Sequence, residues 1–193
     1  MPFEPPPPFA AWRHRDAREG FEVLFLHAES PGLRLEGQTA AVEAGQAWTV
    51  AYSIVVDASW TTVSARAVSR SASGRREIAL ESDGPGAWSI DGAAAPRLDG
   101  CLDVDLESSA CTNALPVHRL RLAIGEAAQA PAVYLRAANL AVERLEQRYA
   151  RLADDGGRER YAYSAPRFDY AGELVYDACG LLLGYPGLAV RAA

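Results

Sequence analysis

Lysine is absent. All 19 basic side chains are arginine, set against 25 acidic ones, so the formal charge is −6 and the isoelectric point about 5.1. An acidic chain of this kind argues against non-specific nucleic-acid binding and against docking on anionic lipid surfaces. Cysteine is scarce: Cys101, Cys111 and Cys179 are odd in number and widely spaced, with no CxxC and no zinc-type Cys/His spacing. Three reduced, mostly buried thiols in a cytoplasmic protein are expected, with a Cys101–Cys111 bridge as the alternative. No apolar run approaches the roughly 18 residues of a membrane helix, so no membrane span is expected. Residues 1–8 show neither a basic nor an apolar signal-peptide region. There is no phosphate-cradling Gly-rich loop, no GxSxG and no HExxH. No cofactor, no metal and no catalytic residue set is therefore assigned.

What is present is the pattern of a β-rich domain. The 193 residues, 49% of them hydrophobic, are enough for one domain with a real core. Residues 1–11, with Pro5 to Pro8, read as a Pro-rich disordered tail, and residues 12–193 as a single domain. The clearest strand is 48–57, where Trp48, Val50, Tyr52, Ile54 and Val56 share one side. Further strands are expected at 21–27, 33–37, 60–68, 77–81, 87–90, 132–137, 161–164, 168–177 and 181–185. Pro31-Gly32, Asp83-Gly84-Pro85-Gly86 and Asp91-Gly92 mark turns between them. Residues 139–153 are ambiguous: Leu145, Tyr149 and Leu152 keep helical spacing, while the neighbourhood favours strand. No internal repeat is apparent. The sum is a mainly β chain, an antiparallel sheet of about ten or more strands that must curl, roll or close. At most one or two short helices are expected.

The organising stretch is Gly100 to Leu106, followed by Thr112 to Leu120. In a strand, Leu102, Val104 and Leu106 face one way, and Cys101, Asp103 and Asp105 the other. Asn113 and Pro116 signal a turn, and Val117, Arg119 and Arg121 then alternate as a second strand. The corner between them carries two carboxylates, a hydroxyl, an amide and an arginine. Asp103 and Asp105 could act as acid and base or hold a cation, or could simply pair with Arg119. Cys101 would need His118 beside it to act as a nucleophile; a buried, inert thiol is the plainer expectation. Thr112, Asn113 and Arg119 suit a sugar or head group, or a self-bonded turn. Trp48, Trp60, Trp88, Tyr52 and Tyr185 could line a cavity, or be plain core. His14 and His27 read as surface and strand positions.

An ordered set of residues resembles one family. Tyr52 precedes Val56-Asp57-Ala58-Ser59-Trp60, and Gly86-Ala87-Trp88 precedes Asp91-Gly92. Then come the central stretch, Gln147-Arg148-Tyr149, Asp177 with Gly180, and Tyr185-Pro186-Gly187-Leu188 with Arg191. Together they are similar to the putative glycolipid-binding family, bacterial proteins catalogued as a domain of unknown function, over about residues 12–191. Two positions depart from its pattern: Ala110-Cys111 stand where Pro-Phe is usual, and His118 where a basic residue is usual. The resemblance implies a curved antiparallel β-roll or half-open barrel that binds a lipid or glycolipid without catalysis. The expected ligand-binding residues are Trp60, Trp88, Asp103, Asp105, Thr112, Asn113, Arg119, Tyr149 and Tyr185. The alternatives are a small hydrolase or isomerase using Asp103 or Asp105, and an interaction module whose edge strand pairs with a partner or as a homodimer.

Overall fold

The structure is a computed structural model and describes residues 3–193. The N-terminal half is a meander of β1 (Phe9–His14), β2 (Glu19–Glu29), β3 (Gly32–Glu43), β4 (Gln46–Val56), β5 (Thr62–Ser71), β6 (Gly74–Ser82), β7 (Trp88–Ile90) and β8 (Ala93–Ala94). Next come β9 (Asp103–Leu106), a 3-10 turn over Cys111–Asn113 and α1 (Ala114–Leu120). The chain ends with β10 (Ala127–Gln129), β11 (Ala132–Leu135), β12 (Val142–Leu145), β13 (Arg148–Arg151), β14 (Glu159–Ala165), β15 (Tyr170–Tyr176), β16 (Leu182–Tyr185) and β17 (Ala189–Arg191). Fourteen strands form one antiparallel sheet in the order β10-β13-β14-β15-β16-β17-β1-β2-β3-β4-β5-β6-β7-β8. Its centre joins the two ends of the chain, because β1 pairs with β17. The sheet is open rather than closed into a barrel. A second sheet, β12-β11-β9, includes one parallel pair, β9 with β11.

The large sheet curls because its inner face is apolar and must be covered. Trp48, Val50, Tyr52, Ile54 and Val56 of β4 are all buried, as their alternation predicts, while Thr49, Ala51, Ser53 and Val55 are not. The small sheet and α1 fill the interior. Every residue of β9 and β11 is buried, and one continuous core cluster contains both sheets. The connection after β9 is bonded to the inner face of the large sheet. Thr39 donates to Ser108 O at 2.9 Å, and Ala110 N–H donates to Glu22 Oε2 at 2.7 Å.

Glycine and tyrosine cooperate beneath that connection. Gly37 of β3 lies beside Tyr52 of β4 in the register and offers no side chain on the inner face. The Tyr52 ring therefore crosses β3 and donates its hydroxyl to the fully buried Glu22 at 2.6 Å. Burial pushes the Glu22 carboxyl up, opposed by its bonds from Ser109, Tyr52 and Ala110.

Two turns share one design. Asp57 Oδ1 accepts the Ser59 and Thr61 N–H groups at 2.8 and 3.0 Å. Asp177 Oδ1 accepts those of Cys179 and Leu181, both at 2.9 Å. The fourth residue of each is left-handed, Trp60 at φ +67° and Gly180 at φ +70°. Both lie against His118: the Trp60 ring stacks on the imidazole at 3.5 Å, and a Cβ on Gly180 would come within 2.5 Å of its Nε2. The turns at Asp57-Ala58 and Asp177-Ala178 thus share one hydrogen-bonding pattern on either side of His118.

Two further expectations change, and one open segment is decided. The second central strand is helix α1. Pro116 sits in its first turn, where a missing N–H costs nothing, and Arg121 ends it as a left-handed cap at φ +47°. Ala114 to His118 are all buried, so the alternation there reported no exposed face. Residues 139–153 contain β12 and β13, which decides that segment for strand. In the N-terminal segment expected to be disordered over 1–11, residues 9–11 belong to β1, and Ala10 and Ala11 are buried. Prolines lack a donor but keep their carbonyls: Pro8 O accepts Leu26 N–H at 2.9 Å, and Glu4 N–H reaches Ala178 O at 2.9 Å. Met1 and Pro2 lie outside the described residues.

A Cβ at position 37 would sit 2.2 Å from the Tyr52 oxygen. Gly37→Ala is expected to destabilise the protein by about 1–3 kcal/mol in denaturant unfolding, by pushing the phenol off Glu22. Gly184→Ala in β16, where nothing lies within 4 Å, is the control and should stay within about 0.5 kcal/mol of wild type.

Candidate functional site

Where the small sheet and α1 fail to fill the curl, a cavity of about 250 Å³ remains. Its polar floor is Asp105 of β9 and Asn113, at the entry to α1. Its apolar wall includes Tyr134, Leu145, Tyr163, Tyr170 and Tyr185, with Phe168, 40% exposed, at the solvent side. The tyrosines brace one another: Tyr163 meets Tyr149 at 5.0 Å between centroids, and Tyr185 meets Tyr170 edge-on at 5.3 Å. The rest of the wall mixes alkyl groups, such as Leu106 and Leu188, with charged or hydroxyl ones from His14, Arg18, Glu43, Glu107, Ser108 and Arg136.

Asp105 anchors a buried polar seam. Its carboxylate accepts the Thr112 hydroxyl at 3.1 Å and the Gln147 amide. Gln147 Oε1 and Asn113 Oδ1 lie 3.2 and 3.0 Å from the Tyr149 hydroxyl that donates to them. Tyr176 donates to Asn113 O at 3.1 Å. Among the described residues no arginine pairs with Asp105, and burial pushes its pKa up to about 6 against the pull of Thr112 and Gln147. Asp103, two residues away, is held by Arg119 through Nε at 3.0 Å and Nη2 at 2.5 Å. Burial raises that carboxyl as well, with the guanidinium opposing.

The nine residues expected at the site therefore divide. Asp105, Asn113 and Tyr185 line the cavity; Thr112 and Tyr149 stand directly behind it in the seam. Asp103 and Arg119 are engaged with each other and lie outside its lining. Trp60 packs on His118, and Trp88 donates its indole N–H to Cys101 O at 2.8 Å. Neither tryptophan reaches the cavity. Cys101 is a buried thiol pushed up to about 11 by desolvation, and all three cysteines are free.

Residues the sequence did not single out complete the wall. Tyr163 and Tyr170 carried a signal in their aromatic strands. Arg18 and His14 carried none, because Arg13 to Arg18 reads as an exposed polar turn. His14, expected at the surface, is buried, and burial, then Arg18, push its pKa down to about 4. A larger depression of about 630 Å³ is walled by Arg121, Arg151, Asp154 and Glu159. There Arg151 is already paired with both Asp154 and Glu159.

Fold and cavity define an open β-roll with a small interior site, mixed aromatic and polar. The family described as "Putative glycolipid-binding" matches residues 9–191, and the chain belongs to that family. Among solved structures, the chain is similar to a DUF1089 family protein of Pseudomonas aeruginosa. The two are 32% identical, with 88% of this chain and 91% of that chain covered and a TM-score of 0.75. A beta-barrel-like protein of the domain of unknown function DUF1849 from Brucella abortus is 10% identical, with 95% and 92% covered and a TM-score of 0.49. Among curated proteins none matches the chain.

The Asp105 shift makes a pH prediction. Its folded pKa of about 6 lies above the ordinary 3.8, so the native state holds the proton more tightly. Stability is full below the lower value and falls as pH rises through the upper one, by roughly 3 kcal/mol for a shift of this size. Asp105→Asn does not titrate there. Its melting temperature relative to wild type should rise by several degrees between about pH 4 and pH 7. A constant difference across that range would show that Asp105 ionises freely.

Proposed function

We propose that the protein binds a lipid or glycolipid without catalysis, with the polar head in the cavity against Asp105 and Asn113. The carrying observation is the composition of that cavity: a polar floor facing a tyrosine-rich wall. A ring with hydroxyls on its edge and carbons on its faces meets both. At about 250 Å³ the space falls just below the roughly 300–1,000 Å³ of common small-molecule sites. It encloses a head group and the first part of a chain; the rest of the chain leaves past Phe168 towards solvent.

One observation favours a second reading. Asp105 is a buried carboxylate beside a cavity with a raised pKa, which is the character of a general base. A hydrolase or isomerase built on it would turn its ligand over, whereas a binder returns it unchanged. The edge-pairing alternative has little to stand on, because the outermost strands, β10 and β8, have three and two residues.

Native mass spectrometry of protein mixed with a glycolipid is expected to give one bound ligand, recovered on extraction with its mass unaltered. Tyr185→Ala should weaken retention about tenfold by removing one aromatic wall. No uptake by wild type would sink the binding reading; a ligand recovered with changed mass would favour the Asp105 enzyme instead.

A further inference from the structure

One side of the cavity is short of acceptors. Arg18 is buried, and its guanidinium lies over the Trp48 ring at 5.4 Å. It spends one donor, Nη2, on Glu107 O at 2.8 Å. Its Nε and Nη1 have no hydrogen-bond partner, and among the described residues no carboxylate pairs with it. Beside it in the same wall, His14 Nδ1 and the Ser108 hydroxyl are also buried and unpartnered. The second arginine of the wall, Arg136, is by contrast committed to Glu107 at 2.8 Å and Glu143 at 3.7 Å.

A guanidinium has donors only and keeps its charge at any ordinary pH. Buried with no counter-charge, it destabilises the fold unless something else supplies the negative partner. The unpartnered groups around it can all donate as well: a hydroxyl, and an imidazole that is neutral at pH 7 because of its burial and of Arg18. We propose that this wall is an oxyanion site, and that the ligand of the cavity carries a phosphate or carboxylate bound by Arg18, Ser108 and His14. The inference rests on the cavity being the ligand site and adds the charge of the ligand. Asp105 across the floor fits this arrangement, because a carboxyl with a raised pKa can take up a proton when an anion enters beside it.

The oxyanion can belong to an amphiphile or to a small free anion, and titration calorimetry of the full chain separates these. The probes are octyl phosphate, octyl β-D-glucoside and inorganic phosphate, the amphiphiles kept below their micelle concentrations. Octyl phosphate is expected to bind wild type at least about tenfold more tightly than octyl glucoside. Arg18→Gln should weaken octyl phosphate more than octyl glucoside and so lose that preference; Ser108→Ala should weaken octyl phosphate by roughly two- to fivefold and keeps the inference testable if the first variant does not fold. Inorganic phosphate as tight as octyl phosphate would keep the oxyanion site and remove the lipid from the proposed function. Equal affinity for the two amphiphiles, or an Arg18→Gln variant that binds octyl phosphate like wild type, would overturn the oxyanion site and leave lipid binding standing. Binding of none of the three would overturn both.

Discussion

Asp105 ties together three parts of the chain. It sits on β9, accepts from Thr112 at the entry to α1, and accepts from Gln147 between β12 and β13. Through Gln147 and Asn113 the same seam reaches Tyr149 and Tyr176, which belong to the large sheet. The small sheet, the helix and the curled wall are therefore held in register by polar bonds inside the core. Such bonds are directional, and in a medium of low polarity an unmade one is costly. They fix where the filling of the curl stops, and hence where the cavity begins.

Charge is distributed unevenly around that boundary. Asp103 and Arg119 satisfy each other, as do Glu107 and Arg136. Asp105 and Arg18, both buried in the cavity lining, make no ion pair among the described residues, nor does Glu43 at its less buried side. A pair of opposite charges facing one space without meeting is not how a protein builds for stability alone, since pairing or replacement by apolar groups would serve better. The pattern fits a space shaped for an occupant with a polar end, and the tyrosine wall fits one whose remainder is apolar.

Much of this architecture could be read from the chain. Alternation in 48–57 marked a half-buried strand, and β4 is one. Asp91-Gly92 announced a hairpin, and both residues have the positive φ that such a turn requires, +49° and +80°. The departures have separate causes. Ala114 to His118 are buried on every side, so no polar face betrays a helical period. Trp60 and Trp88, expected at the site from the resemblance, lie outside the cavity lining, one stacked on His118 and the other bonded to Cys101 O. Of the cavity and the seam behind it, Asp105, Thr112 and Asn113 were legible as one corner, and Tyr149 came from the family resemblance. Arg18 was not, because its cover comes from β4 and the connection after β9, both distant in sequence.

The central claim is that the gap beside Asp105 is where the molecule meets its ligand. Amide and tyrosine-ring chemical shifts recorded during titration with an alkyl glycoside address it directly. The account predicts changes concentrated at Asn113, Tyr163, Tyr170 and Tyr185, with Trp60 and Trp88 undisturbed. Changes confined instead to the exposed aromatics Phe9, Phe21 and Phe25 on β1 and β2 would place recognition on the outer face and contradict it.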